Sequence, residues 1–319
     1  MLIHWYNRFS EPDAQDFNFD FSLTHYIIYP WIVEDTTLVR VHRIPTISSP
    51  IVSRISKTKG GFIVYNICKK HPSKNERRLV KEQIRFCLGL DASMRKLQRA
   101  ARKDPVIIMA MNINKGIRPK RYTDIFEAVC GAICAQNVNF RRLYTMMELL
   151  SKKFGRNIMI NHSCYWAFPQ AKEIAKASVS DLKECKVGYR AERILNAARW
   201  FANNKKNTLT ANQLREMDKA SAIETICGIP GIGPYSAAIV LSAGAGRQDI
   251  FHIDSFTRLI LQEMYFGGKE ASDETYLSFA EDRWGKFCGL AAHLLTTNTE
   301  IWADKLGRHN FRPSGARNL

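Results

Sequence analysis

Asp254 and the glycine-rich stretch before it are the residues in this sequence best placed to do chemistry. The stretch runs Glu224-Thr225-Ile226-Cys227-Gly228-Ile229-Pro230-Gly231-Ile232-Gly233-Pro234-Tyr235-Ser236-Ala237-Ala238-Ile239-Val240-Leu241 and reads as helix, glycine hairpin, helix. Gly231 and Gly233 lack a Cβ, so the backbone there can turn tightly and approach a ligand, and Pro234 suits the first position of the second helix. Free amides at such a helix start bind a phosphate oxygen, and because they are backbone groups they do so without reading sequence. A dinucleotide loop is a poor fit, since it needs GxGxxG after a strand and this order is GxxGxG after a helix. A plain αα turn is the simpler alternative. Asp254 ends the apolar segment Ile250-Phe251-His252-Ile253 and precedes Ser255-Phe256-Thr257, so it could merely cap a helix. Beside a phosphate-gripping hairpin, the same ionised carboxylate could stabilise the cationic sugar that develops as an N-glycosidic bond breaks, and could orient the attacking water.

These residues need a scaffold, and the sequence changes character along its length. From about residue 20 to 68 it is rich in Val, Ile, Thr, Tyr and Phe and is punctuated by Pro30, Pro50 and Gly60-Gly61. Segments such as Thr37–Val41 and Gly61–Tyr65 read as short antiparallel strands. After Pro72, apolar residues recur at helical spacing through Val80, Ile84, Cys87 and Leu88, then Met94, Leu97 and Ala101. Helices are predicted at about 122–134, 139–154 (stopped by Gly155), 170–177, 190–203, 211–217, 220–227, 234–243, 255–265 and 275–304. The expected fold class is α+β: a mainly helical body over 89–319, preceded by a small antiparallel β-sheet module over 1–88. An Arg- and Gly-containing tail follows from Gly307.

Charge narrows the partner. Forty-seven Lys and Arg against 30 Asp and Glu give a formal +17 over 319 residues, a balance suited to a polyanion. Phosphate neutralisation by such groups supplies affinity that does not depend on sequence. The eight cysteines form no CxxC pair of the kind that makes a zinc or redox site. Cys130 and Cys134 fall one helical turn apart in an apolar stripe, where core packing is the expectation. The N-terminus lacks a signal-like apolar run, and nowhere do 18 apolar residues run together, so an intracellular protein without membrane contact is expected.

With the hairpin, the small-residue helix after it and an aspartate 21 residues beyond Gly233, the chain resembles the helix-hairpin-helix DNA glycosylases. Phe126–Gln136 resembles the family's early core helix, Val187–Ile194 its glycine-led helix start, and Gly289–Leu295 its closing helix. The β-rich start is similar to the alkylbase and 8-oxoguanine branches. The resemblance implies an enzyme that flips a damaged base out of duplex DNA and hydrolyses its glycosidic bond. It implies Asp254 as the catalytic residue and Tyr235 in the base pocket. Gly231, Ile232, Gly233 and Ser236 would hold DNA at the hairpin, and Asn137, Arg142, Tyr189 and Arg190 would meet the rest of the duplex. Bifunctional members carry a lysine where this chain has Tyr235, and a phenol cannot form an imine, so hydrolysis without strand cleavage is expected. No organic cofactor is expected. The cysteine pattern of an iron–sulfur cluster is absent, no side-chain metal site is expected, and a Na+ or K+ ion at the hairpin backbone is implied by resemblance. An alkylated purine is the expected substrate and a monomer the expected state. Asn137, Arg142, Tyr189 and Arg190 lean instead toward the 8-oxoguanine branch, whereas Ala292 and Thr296 replace that branch's pocket glutamine and phenylalanine. Oxidised guanine, mispaired uracil or thymine, and a DNA-binding protein without catalysis remain the alternatives.

Overall fold

The computed structural model describes residues 2–10, 16–25, 27–44, 46–204, 209–309 and 311. Most of the basic tail after Gly307 lies outside these residues.

Five strands, β1 (Ile3–Ser10), β2 (Trp31–Glu34), β3 (Thr37–His42), β4 (Ile51–Thr58) and β5 (Gly61–Cys68), form one antiparallel sheet in the order β1-β5-β4-β3-β2. Side chains alternate across a strand, and here both faces of the central strands are apolar. Leu38, Ile51, Ile55, Phe62 and Val64 point to one face, where helix α2 (Lys74–Cys87) covers them with Val80, Ile84 and Cys87. Val39, Val41, Val52 and Ile67 point to the other. They are covered by a second, two-stranded sheet of β6 (Asn157–Ile160) and β7 (Ser163–Trp166), contributing Ile158, Ile160 and Tyr165. The sequence pattern had placed strands only over 20–68. Within that range Phe19–Thr24 is instead helix α1, capped by the Asn18 side chain on Phe21 N–H at 3.1 Å. β1 and the β6–β7 hairpin lie outside it.

The helical body continues with α3 (Met94–Ala100), α4 (Pro105–Ile113), α5 (Ile125–Ala135), α6 (Phe140–Phe154), α7 (Ala171–Ile174), α8 (Val179–Lys183) and α9 (Arg190–Asn203). It is completed by α10 (Ala211–Glu216), α11 (Lys219–Cys227), α12 (Pro234–Val240), α13 (Ser255–Tyr265), α14 (Asp273–Trp284), α15 (Cys288–Leu295) and α16 (Thr299–Lys305). The segment predicted as one helix over 275–304 is thus three. Left-handed backbone at Gly285 (φ 53°) and Asn298 (φ 47°) breaks it, with a 3-10 turn at Gly285–Phe287. Helix α5 is buried all round, as a central helix must be, and Cys130 and Cys134 pack there.

Two cores divide this body. One gathers α5, α6, α9, α11 and α12, through residues such as Ile133, Met146, Ile194, Ile226 and Val240. The other gathers α3, α4 and α13 to α16, through Leu97, Ile107, Ile260, Trp284 and Trp302. The chain passes from the first to the second between Ile250 and Phe251. Asp254 follows immediately, so the seam between the cores positions it. Among the described residues no helix is long and apolar enough to cross a membrane.

Candidate active site

The hairpin folds as its residue types dictate. Helix α11 ends at Gly228, and Ile229 and Ile232 turn their side chains into the first core. Gly231 sits at φ 88°, the left-handed region that favours glycine. A Cβ there would lie 2.9 Å from Arg193 Cβ. Gly233 is extended backbone (φ −101°, ψ 178°), and a Cβ there would meet nothing within 4 Å. The open space lies where a ligand would come, so the second glycine bears on approach rather than on the turn. Pro234 takes the first position of α12. Among the described residues the amides of Gly231, Gly233, Tyr235 and Ser236 have no protein acceptor. Ile232 differs: its N–H donates to Ile229 O at 3.1 Å, leaving it no amide for a ligand.

A cleft of about 840 Å³ opens over this loop. It is lined by the hairpin, Tyr235 and Ser236, by Ala135 to Val138 at the end of α5, by Arg193 of α9, and by Asp254 with Ser255. Seven of the residues singled out by sequence therefore meet in one place: Asn137, Gly231, Ile232, Gly233, Tyr235, Ser236 and Asp254. No lysine lines it. Lys219, the nearest lysine in sequence to the hairpin, starts α11 at the end remote from it and is paired with Glu281.

Asp254 combines a helix cap with a place on the cleft wall. It caps α13: its Oδ1 accepts from Thr257 N–H at 2.7 Å and from Thr257 Oγ1 at 2.9 Å, while Thr257 Oγ1 accepts from Asp254 N–H at 2.7 Å. It also faces the cleft beside Tyr235. Partial burial pushes the Tyr235 phenol up to about 12, and the neighbouring Asp254 carboxylate adds to the effect. The Tyr235 ring is 42% exposed and meets His252 edge to face, centroids 5.7 Å apart at 75°. Burial holds the His252 imidazole below its ordinary range, against the opposing pull of Asp254, and its Nδ1 has no hydrogen-bond partner among the described residues.

The remaining predicted residues divide. Asn137 is exposed with left-handed backbone (φ 52°), which projects it from the turn between α5 and α6. Tyr189 is 55% exposed and lies against the Arg190 and Arg193 guanidiniums, 4.4 and 5.3 Å from its ring centroid. Arg142 is exposed on the first turn of α6, outside the cleft lining. Arg190, expected to meet DNA, is only 3% exposed. It donates to Gln136 O and, at 3.4 Å, to Val187 O, so in this structure it ties α9 to the end of α5. Ser236 is buried as well, its hydroxyl accepting from Gln136 Nε2 at 3.4 Å.

Sequence reasoning gave no role to Gln136 or Arg193. Gln136 ends α5, donates to Gly231 O at 3.3 Å and accepts from Arg193 Nη1, so it clasps the hairpin to α9. The signal for Arg193 was its spacing: four residues after Tyr189, it shares that residue's helix face. A Na+ or K+ ion at the hairpin would be held by backbone carbonyls. Those of Ile229 and Gly231 each accept one hydrogen bond and keep a second lone pair, so the donor set fits.

Comparison with known proteins bears on this geometry. A DNA-3-methyladenine glycosylase of Bacillus subtilis is 26% identical over 223 residues, which is 70% of this chain and 73% of that protein. The 3-methyladenine DNA-glycosylase of Archaeoglobus fulgidus superposes with a TM-score of 0.75 at 21% identity, covering 95% of this chain and 98% of that one. The Clostridium acetobutylicum 8-oxoguanine glycosylase/lyase in complex with double-stranded DNA gives 0.72 at 17%, covering 96% and 98%. A family model described as HhH-GPD superfamily base excision DNA repair protein matches residues 130–285, the segment from α5 through the hairpin and Asp254 to the end of α14. Over that segment, just under half of its length, the chain is similar to the HhH-GPD superfamily of base excision DNA repair proteins.

Proposed function

We propose that this base excision repair glycosylase removes an alkylated purine, of the 3-methyladenine type, by hydrolysis and leaves the abasic strand intact. The observation that carries the reading is the placing of Asp254 beside Tyr235 in a cleft that, among the described residues, no lysine lines. An alkylated purine is already cationic and departs as a neutral base, so it needs no general acid. It does need an ionised group near the sugar, where positive charge develops, and Asp254 is held for that by Thr257. Tyr235 offers an aromatic face to a cationic base. The amides of Gly231, Gly233, Tyr235 and Ser236 grip the phosphate, and the hairpin carbonyls of Ile229 and Gly231 would hold a Na+ or K+ ion that stiffens the turn when bound. Asn137 and Tyr189 occupy the space the flipped base leaves, and Arg142 and Arg193 meet the backbone.

Asn137 and the braced Tyr189 favour a second reading, oxidised guanine, which the Clostridium neighbour's substrate also suggests. One experiment separates them: base release from duplexes bearing 3-methyladenine, 8-oxoguanine, or mispaired uracil or thymine, with borohydride added in parallel. We expect release of the alkylated purine, strand breaks only after alkali or heat, and no trapped protein–DNA adduct. An efficient adduct would mean that an amine attacks the sugar, and would overturn the hydrolytic assignment. Preferential release of 8-oxoguanine would overturn the substrate.

A further inference from the structure

Tyr6 is the most exposed large apolar side chain among the described residues, at 63%, and it lies on the sheet rather than at the cleft. Side chains alternate along β1: Trp5 and Phe9 turn into the core beneath α2, while His4, Tyr6 and Arg8 face water. The cross-strand register sets Tyr6 opposite Tyr65 of β5, His4 opposite Ile67 and Arg8 opposite Ile63. Tyr65 joins the two aromatic residues of β1. Its ring centroid is 4.9 Å from that of Tyr6, with the planes 36° apart, and 5.3 Å from that of His4, with the planes 17° apart. The Tyr65 hydroxyl and His4 Nδ1 share a hydrogen bond. Three rings thus form a continuous row on one face of the sheet. Farther along that face the β6–β7 hairpin covers Val39, Val41 and Val52, but at β1 His4 and Tyr6 are left exposed. An aromatic pair across two strands contributes to sheet stability, yet Tyr6 keeps most of its surface in water. Charge on this face is uneven. Arg54, opposite Tyr65 on β4, is neutralised by Glu34 at 2.8 Å, whereas Arg8 is exposed and has no ion pair among the described residues. Open rings beside an uncompensated cation match a strand whose bases are unpaired, since each base has a face to lay on a ring and each phosphate a charge for the guanidinium. A duplex matches poorly, because its base faces are already stacked on one another.

We propose that the row of His4, Tyr6 and Tyr65, with Arg8 beside it, is a stacking platform for a few unpaired nucleotides of single-stranded DNA. It gives the sheet module a ligand of its own, such as the open strand of a gap or a frayed end. The platform takes no part in base release, so it works whichever base the cleft removes and is tested without a lesion.

The test measures fluorescence anisotropy of a labelled, short, mixed-sequence single strand and of the matching blunt duplex, with the full chain. Tyr6→Ala should weaken single-strand binding by about tenfold, the loss expected for one stacked base, and leave duplex binding within about twofold. Tyr6→Phe, which keeps the ring, should bind both as the natural protein does. Arg8→Ala should reduce the slope of log affinity against log salt by about 0.7 for the single strand, as one lost phosphate contact does, and leave the duplex slope unchanged. Equal losses on single strand and duplex, or none on either, overturn the proposal. So does tighter binding of the same sequence as RNA. A second readout needs no variant: irradiating the natural protein with a single strand carrying 5-iododeoxyuridine should crosslink it to Tyr6, His4 or Tyr65, located by mass spectrometry. Crosslinks confined to residues of the cleft overturn the platform. A Tyr6→Ala protein that binds the single strand normally but no longer self-associates would assign the rings to a second copy of the chain, and would also overturn it.

Discussion

Four of the described helices begin with an aspartate cap, at Asp104, Asp124, Asp218 and Asp254, and the first and last of these have different surroundings. At the start of α4, Asp104 is 3% exposed and its oxygens are saturated. It accepts from Val106 and Ile107 N–H at 3.1 Å each, Tyr265 OH at 3.2 Å, Arg283 Nε at 2.6 Å and Trp284 Nε1 at 3.1 Å. At the start of α13, Asp254 gives one oxygen to Thr257 and stands at an open cleft beside Tyr235. The same local device closes a core in one place and leaves acceptor capacity facing solvent in the other. Capping alone therefore says little about function; what separates the two carboxylates is how much of each remains uncommitted.

The contrast can be broken from either side. Asp104→Ala should have the largest effect, because it strands a cation, an indole N–H and two backbone donors at once. A loss of about 3 kcal/mol or more in denaturant-induced unfolding is expected. A loss below about 1 kcal/mol would show that Asp104 is not the closing group it looks to be. Asp254→Asn should do the opposite. Asparagine caps a helix as well as aspartate, so stability should move by less than about 1 kcal/mol while base release falls about 10²-fold and DNA affinity is kept. Near-natural turnover would reduce Asp254 to a second Asp104. The smallest effects sharpen the comparison at the hairpin. Gly231→Val must adopt φ 88° against Arg193, so it should weaken binding to every duplex by about tenfold and lower the melting temperature too. Gly233→Ala should leave the melting temperature unchanged and weaken duplex binding only a few-fold, since nothing but a bound phosphate would touch the added methyl. Equal thermal losses in the two variants would remove the distinction drawn between the glycines.

What the sequence disclosed follows the range of the forces involved. Local chemistry was legible: Asn139 caps α6 and Gly155 stops it, Pro234 opens α12, and Asp254 opens α13. The antiparallel β3 to β5 meander was legible because its turns are short and glycine- or proline-marked. β1 was not, since its partner β5 is some sixty residues away, although Trp5 and Phe9 alternate with exposed His4, Tyr6 and Arg8. The β6–β7 hairpin is covered by the sheet on one face only, and four-residue strands give little periodic signal. The breaks after Trp284 and before Thr299 depend on left-handed residues, one of them an asparagine that a helical pattern hides. In the site, the burial of Arg190 and the clasp made by Gln136 come from tertiary packing, where a basic residue and an amide in sequence carry no mark of which partner they will find.

The sheet and the helical body are joined by more than chain continuity. Arg40 of β3 and Glu127 of α5 form an ion pair at 3.3 Å with both side chains out of water, and Arg43 reaches Glu173 at 2.7 Å. An exchange of gene segments near residue 88 would bring together halves from different ancestors and leave one of these buried charges without its mate, at a cost of about 3–5 kcal/mol. Recombination at that boundary is thus penalised, and the two halves are constrained to change together through inheritance, even though only one of them carries the cleft.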